Sequence, residues 1–277
     1  MKYEAFIISH GRSDRVETYD TLRNAGYTGK INVVIDNRDK QLQQYQDRFR
    51  DNLIVFDKQY YIDKTDTITN DKKDSSPVYA RNAVEDLAKY LDAFIMIDDD
   101  VTNLRYRYLE NDVVKSQKIT KNMDNVFDDY IEYLINGNIS TLSFATAMVY
   151  AGGIHSESDK RRLASHRYTC QIHIRNTKFR VNWISLANND SITGGITAKI
   201  GYLWWLLPFV AYDSPKMNTL PGGMKSVYDE ESSFRRSFMA TVALPSVNNV
   251  GVVKDRFNIH RNLKSAYPMI ISSEYKK

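Results

Sequence analysis

Cysteine is nearly absent: Cys170 is the single one in 277 residues. No internal disulfide can form, and the chain suits a reducing cytoplasm. No motif surrounds Cys170, so it reads as structural. Proline and glycine are sparse, at six and twelve residues, and no tract rich in either divides the chain into separate units. There is no internal repeat. Long apolar runs are missing too. The longest uncharged one, "IGYLWWLLPFVAY" (Ile200–Tyr212), carries Pro208 and falls short of the roughly 18 residues that suggest a membrane span. It reads as a buried segment, or alternatively as an aromatic wall facing an acceptor. Residues 2 to 5, Lys-Tyr-Glu-Ala, run directly into a short strand, so no secretory leader is expected.

Neither sign of charge dominates, since the net is +4, yet the distribution is uneven. Between Ala151 and Arg180 stand Lys160, Arg161, Arg162, Arg167, Arg175, Lys178 and Arg180 against Glu157 and Asp159. That window also holds His155, His166 and His173, and the remaining chain is close to neutral. Such a run is either a solvated face or a surface for a polyanion, where lysine and arginine displace counterions from phosphates. Lys160, Arg161, Arg162, Arg167, Arg175 and Lys178 are the candidate nucleic-acid contacts.

What is present in strength is βα alternation. "AFIIS" (Ala5–Ser9), "INVVID" (Ile31–Asp36), "NLIVF" (Asn52–Phe56) and "AFIMI" (Ala93–Ile97) read as strands. Between them, Asp14–Gly26, Asp39–Phe49 and Ser76–Leu91 read as helices, the last with Ser76 as N-cap and Pro77 at the first helical position. Beyond residue 110 the pattern loosens. Asn122–Asn136 and Asp229–Val242 read as helices, Ser140–Ala151 and Phe179–Ala187 as strands, and the tail from Val247 has no strong pattern. The expected fold is α/β: a Rossmann-like, mostly parallel sheet flanked by helices in one compact domain, residues 1–110 forming one half and 111–277 the other.

The fourth strand ends in "FIMIDDD", with Asp98, Asp99 and Asp100 in succession. In open parallel sheets ligands bind beyond the carboxyl ends of the strands, which is where these carboxylates lie. Three adjacent carboxylates repel one another, so something cationic is expected among them. Asp98 and Asp100 flank one residue and emerge on the same side of an extended segment. Hard oxygen ligands of this kind suit Mg²⁺ or Mn²⁺.

The stretch "ARNAVEDLAKYLDAFIMIDDD" (Ala80–Asp100), with "IISHGRSDR" and "VVIDN" before it, resembles the core of the GT-A nucleotide-sugar glycosyltransferases. That resemblance implies a UDP-sugar donor. By it, Ser9, Arg12 and Asp36 contact base and ribose, Arg81 lies near the sugar or diphosphate, and Asp98 and Asp99 belong to the donor site. Asp98 and Asp100 hold the metal, with His260 of "RFNIHRNLK" as a further ligand. "SLANNDSITGG" (Ser185–Gly195) resembles the family's acidic acceptor motif, with Asp190 as the base that deprotonates the acceptor and Asn189 where the family has Glu. By the residues alone, Arg81 is equally an exposed partner for Glu85, Asp190 equally a helix cap, and Asp229 and Glu230 a rival acidic site.

The layout is also similar to a smaller TET-associated and phage group of GT-A-like enzymes, which add sugars to hydroxymethylated pyrimidines in DNA. "GGM" (Gly222–Met224) and the ending "RFNIHRNLKSAYPMII" share in this likeness. It implies a phage enzyme, in the cytoplasm of an infected host, acting on 5-hydroxymethylcytosine or 5-hydroxymethyluracil. A base flipped out for reaction would stack on aromatic side chains, for which Trp183, Trp204 and Trp205 are candidates, although core roles suit them as well. A polysaccharide or glycolipid acceptor, and a non-catalytic DNA-binding module, are the other readings the sequence admits.

Overall fold

Three of the four apolar runs of the first hundred residues are buried on both faces, as inner strands of a covered parallel sheet must be, while the edge run Leu53–Phe56 is only partly covered. The computed structural model describes residues 1–69, 76–111, 113–146, 171–215, 233–253 and 256–261. In chain order these form β1 (Tyr3–Ile8), α1 (Glu17–Asn24), β2 (Ile31–Asp36), α2 (Leu42–Phe49), β3 (Leu53–Phe56), α3 (Lys58–Lys64), α4 (Pro77–Leu87), β4 (Ala93–Asp98), β5 (Asn103–Glu110) and β6 (Val113–Lys118). There follow α5 (Met123–Asn136), β7 (Thr141–Thr146), β8 (Ile172–Asn176), α6 (Asn189–Lys199), β9 (Trp204–Asp213), α7 (Ser233–Ala243), β10 (Asn248–Val253) and β11 (Arg256–Arg261). Nine strands make one sheet in the order β3-β2-β1-β4-β8-β7-β9-β5-β6, and β10 and β11 pair separately.

The strands β3, β2, β1 and β4 are mutually parallel, while β8 runs antiparallel to β4. The carboxyl ends of β1, β2 and β4 therefore meet at one edge of the sheet, and Gln171, just before β8, joins them through a bond from Asp98 N–H to its carbonyl at 2.9 Å. The α4 start is as expected: the Ser76 hydroxyl accepts the Val78 N–H. Helix α1 ends at Gly26, whose φ is +88° and whose absent Cβ would lie 2.9 Å from the Asn122 nitrogen. The far edge strand β6 is largely exposed and carries Lys115 and Lys118, charges that discourage pairing with another sheet.

Several expectations need correction. Phe179–Ala187 is not a strand. Its backbone groups bond to side chains of α4 instead of a neighbouring strand: Val181 N–H to Glu85, Trp183 N–H and carbonyl to Asn82, and the Leu186 carbonyl to Ser76. The glycines of "SITGG" lie in a helix, α6. A Cβ on Gly195 would fall 2.6 Å from Leu244 Cδ1, so α6 packs closely on the segment after α7 and a side chain there would displace the Leu244 tip. The tail from Val247 forms the β10–β11 hairpin. The run Ile200–Tyr212 supplies an interior strand, β9, and Pro208 falls where its register against β7 shifts, at a point that needs no N–H donor. Trp183 and Trp204 are fully buried, edge to face at 5.8 Å, so neither can stack on a base. Among the described residues no helix is long and apolar enough to cross a membrane.

Arg175 is likewise interior, with 0% exposure. Its guanidinium donates to Glu85 at 3.1 Å, to the Ser140 carbonyl at 2.9 Å, to the Phe179 carbonyl at 2.6 Å and to the Thr141 hydroxyl. It is a structural cation in the core and presents nothing to a nucleic acid. Breaking one side of a buried pair strands the other charge. Arg175→Met should lower unfolding free energy by about 3–5 kcal/mol, and Arg175→Met with Glu85→Gln should recover part of that loss in urea titrations.

Candidate active site

The aspartate turn is shaped from α1. The Thr18 hydroxyl donates to the Asp98 carbonyl at 2.6 Å and accepts the Val101 N–H at 2.9 Å, while Thr18 N–H donates to the Asp99 carbonyl at 3.2 Å. Thr21 adds a bond to the Val101 carbonyl. With the turn pinned, the three carboxylates diverge. Asp99 points inward, 5% exposed, and accepts the Ser9 hydroxyl at 2.6 Å and the Arg12 guanidinium at 2.7 Å. Asp100 lies 3.5 Å from the same guanidinium and accepts Gln171 Nε2 at 3.3 Å. Asp98 turns the other way, 3.4 Å from Arg81.

Arg81 is buried and does not pair with Glu85. Its guanidinium lies 4.9 Å from the Trp183 ring centroid and donates to both Asp98 and the Asn189 side chain. Asn189 opens α6, and the next residue is Asp190. Asn188 is the N-cap in left-handed conformation, so Asp190 sits in the first turn, with its Oδ1 accepting the Ser191 N–H at 2.7 Å. The positive end of the helix dipole favours a carboxylate there. Arg81 thus ties the donor-side strand end to the helix bearing the expected base.

The charges confirm the proximity. Burial pushes Asp98 up to about 6, Arg81 opposes this, and the negative charges of Asp100 and Asp190 add to it. Burial also raises Asp99 and Asp100. Among the described residues, Asp98, Asp99 and Asp100 meet the guanidiniums of Arg12 and Arg81, and Asp190 acts on Asp98 as a further negative charge, an excess of two. That excess, on hard oxygen donors at a partly open edge, fits a divalent cation of the Mg²⁺ or Mn²⁺ type on Asp98 and Asp100.

The family model described as TET-Associated Glycosyltransferase matches residues 3–199, a span that holds every group named above. The chain belongs to the TET-associated glycosyltransferase family. No curated protein matches it. Among solved structures, S. aureus TarS 1–349 in complex with UDP-GlcNAc is similar with 13% identity and a TM-score of 0.48, over 88% of this chain and 66% of that one. A longer S. aureus TarS structure gives 12% and 0.46, the match covering 76% of this chain and 36% of TarS. The CTP:phosphocholine cytidylyltransferase LicC from Streptococcus pneumoniae gives 12% and 0.22, over 58% and 83%.

A second ionic group was not anticipated as a unit. His10 Nδ1 donates to Asp36 at 2.9 Å and lies 3.2 Å from Asp39, and Lys58 Nζ donates to Asp36 at 3.1 Å. Asp39 also accepts the N–H groups of Gly11 and Gln41, and Asp36 that of Arg38. Among the described residues, His10, Asp36 and Asp39 are the trio with ligand atoms close enough to share a metal. Their carboxylates are already matched by two cations and three backbone donors, so they read as an ion-pair network bracing the loop after β1. The same loop is held by Arg12 N–H on the Tyr45 hydroxyl and Ser13 N–H on Gln41. Asp36 is thereby turned inward, 4% exposed. The sequence signal was weak because Asp39, Tyr45 and Lys58 sit at unrelated spacings.

The remaining expected site residues are more scattered. His260 is exposed on the hairpin opposite Asn249, its ring over Gly251, and does not join Asp98 and Asp100 in a three-ligand group among the described residues. Lys160, Arg161, Arg162, Arg167, Asp229 and Glu230 lie outside the described residues. Lys178 and Arg180 are exposed but follow the end of β8 that pairs with Ala93, one strand length from Asp98.

Thr18→Val leaves the Val101 N–H and the Asp98 carbonyl without that partner. A loss of about 1–3 kcal/mol is expected by thermal or urea unfolding, with donor binding weakened because the turn loosens. His10 is raised to about 9 by its bonds to Asp36 and then Asp39, against burial. Its stabilisation is complete below the ordinary histidine value and lost as pH rises through about 9. The melting temperature of the wild type should therefore fall between pH 7 and 10, and that of His10→Gln should fall less over the same range.

Proposed function

We propose that this protein transfers a sugar from a UDP-sugar to the hydroxymethyl group of a modified pyrimidine in DNA, with hydroxymethylcytosine the leading acceptor. The observation that carries the reading is the convergence of Asp98 and Asp100 with Asp190 across the Arg81 bridge. A donor site and a candidate base brought to one strand edge are what glycosyl transfer needs. The acceptor assignment is supported by the family, whose TET association points to hydroxymethylated bases, and by the likeness of the sequence motifs.

In this mechanism the amino-terminal half takes the donor and the rest takes the acceptor. Asp100 and Asp98 would hold a divalent cation, whose chemistry there would be to supply positive charge beside the diphosphate. Arg12, fixed by Asp99 and the braced loop, adds positive charge beside Asp100. Asp190 takes the proton of the acceptor hydroxyl as its oxygen bonds to the anomeric carbon. The bond from that carbon to the diphosphate oxygen breaks, UDP leaves with the electron pair, and the anomeric centre inverts.

The deciding experiment incubates the protein with hydroxymethylcytosine-containing DNA, Mn²⁺ and a panel of UDP-sugars, then weighs the digested nucleosides. A pentose or hexose mass on the modified nucleoside is expected. An unchanged nucleoside, with UDP released only on adding lipid or oligosaccharide, would transfer the assignment to another acceptor. Asp100→Ala and chelation by EDTA should each abolish transfer with the fold intact. Asp190→Asn should lower kcat about 10²–10⁴-fold while leaving UDP-sugar affinity within a few fold.

A further inference from the structure

Gln171 stands immediately before β8 with a left-handed backbone, φ +59°, a conformation that crowds Cβ and favours glycine. A residue in this state persists only where its surroundings hold it, and such outliers cluster at functional sites. Gln171 is held at both ends, and both holds are on the aspartate turn. Its carbonyl accepts the Asp98 N–H at 2.9 Å, one position past the Ile97–Ile172 pair of the β4–β8 ladder. Its side-chain amide donates to Asp100 Oδ1 at 3.3 Å. Among the described residues, no other non-glycine residue of positive φ bonds one of the candidate metal carboxylates through its side chain.

The chemistry of this hold differs from that on the neighbouring acids. Asp99 meets Arg12 at 2.7 Å and Asp98 meets Arg81 at 3.4 Å, a full positive charge in each case. Arg12 comes no nearer to Asp100 Oδ2 than 3.5 Å, while the amide of Gln171 takes Oδ1. With a donor beside each oxygen, the plane of the Asp100 carboxylate is set between the loop after β1 and the start of β8. A neutral amide orients a carboxylate without cancelling its charge, and each oxygen keeps a lone pair for a further partner. A lysine or arginine in that place would compete with a metal for the same charge. Groups that touch a ligating side chain and not the ion still govern how tightly the ion is held. We propose that Gln171 is a positioning residue for the donor site. It fixes Asp100 in the orientation that binds the divalent cation and leaves the carboxylate charge available, with the left-handed backbone aiming its amide.

This role rests on the proposed cation at Asp98 and Asp100, and the test separates the two. Mn²⁺ is titrated into the full-length protein in the presence of UDP, with free Mn²⁺ followed by electron paramagnetic resonance. Each variant is also melted without metal. Gln171→Gly suits the left-handed backbone and removes the amide. Its melting temperature should stay close to that of the wild type while the Kd for Mn²⁺ rises about tenfold or more. Gln171→Met keeps the length of the side chain without its donor and should weaken Mn²⁺ binding by a similar factor. Gln171→Lys sets a cation against Asp100 and should weaken it further. Wild-type Mn²⁺ affinity in all three variants would overturn the role of Gln171 and leave the cation reading standing. Weakened affinity together with a fall in the melting temperature of Gln171→Gly would make the residue a structural brace, and the inference would fail. If the wild type binds no Mn²⁺ with UDP present, both readings fall.

Discussion

The guanidinium of Arg81 is the point at which the two halves of the molecule are tied together. It is buried beside the Trp183 ring, bonded on one side to Asp98 at the end of β4 and on the other to Asn189 at the start of α6. A planar cation with several donors in a fixed fork can hold two elements at a set angle, which a lysine cannot. The neighbours of Arg81 on α4 complete the tie. Ser76, Asn82 and Glu85 take up the backbone groups of the segment that runs to Asp190. Asp190 is therefore placed by the helix that precedes Asp98, Asp99 and Asp100 in the chain.

Three successive aspartates are tolerable because the fold divides them. Asp99 is absorbed by Ser9 and Arg12, Asp98 by Arg81, and Asp100 is left at the edge beside Gln171. Thr18 makes the division rigid by holding the turn from beneath. That division leaves the charge of Asp100 at a partly open edge, where a cationic ligand would be accommodated. Asp190 adds a second negative charge from across the site.

Elsewhere, buried ions replace structure that a regular ladder would otherwise provide. Arg175 satisfies three acceptors around the junction of β8, β7 and the following coil, and Glu85 answers it from α4. His10, Asp36, Asp39 and Lys58 do the same for the loop after β1. Each network is fully bonded, which is the condition under which buried polar groups specify one arrangement and not several. Arg12 reaches Asp99 and Asp100 only because that loop is braced.

Much of the donor half could be read from the residues alone. Strands that alternate with helices, a Ser-Pro helix start, and acids at a strand end are local signals, set by backbone preferences and by periodic burial. Asp190 was singled out as the expected base only by the likeness of its motif, and its place in a helix first turn came with the structure. The tertiary structure decided what depends on distant partners. Phe179–Ala187 has the composition of a strand, yet no free edge lies beside it, and side chains from α4 take its hydrogen bonds. Arg175 looks like surface charge until Glu85, some ninety positions away, is folded against it. The hairpin after Val247 likewise emerges only when α6 and α7 pack. Local periodicity determines which segments become helices and strands; the pairing of buried charges and backbone groups, which no single segment contains, decides where the site lies.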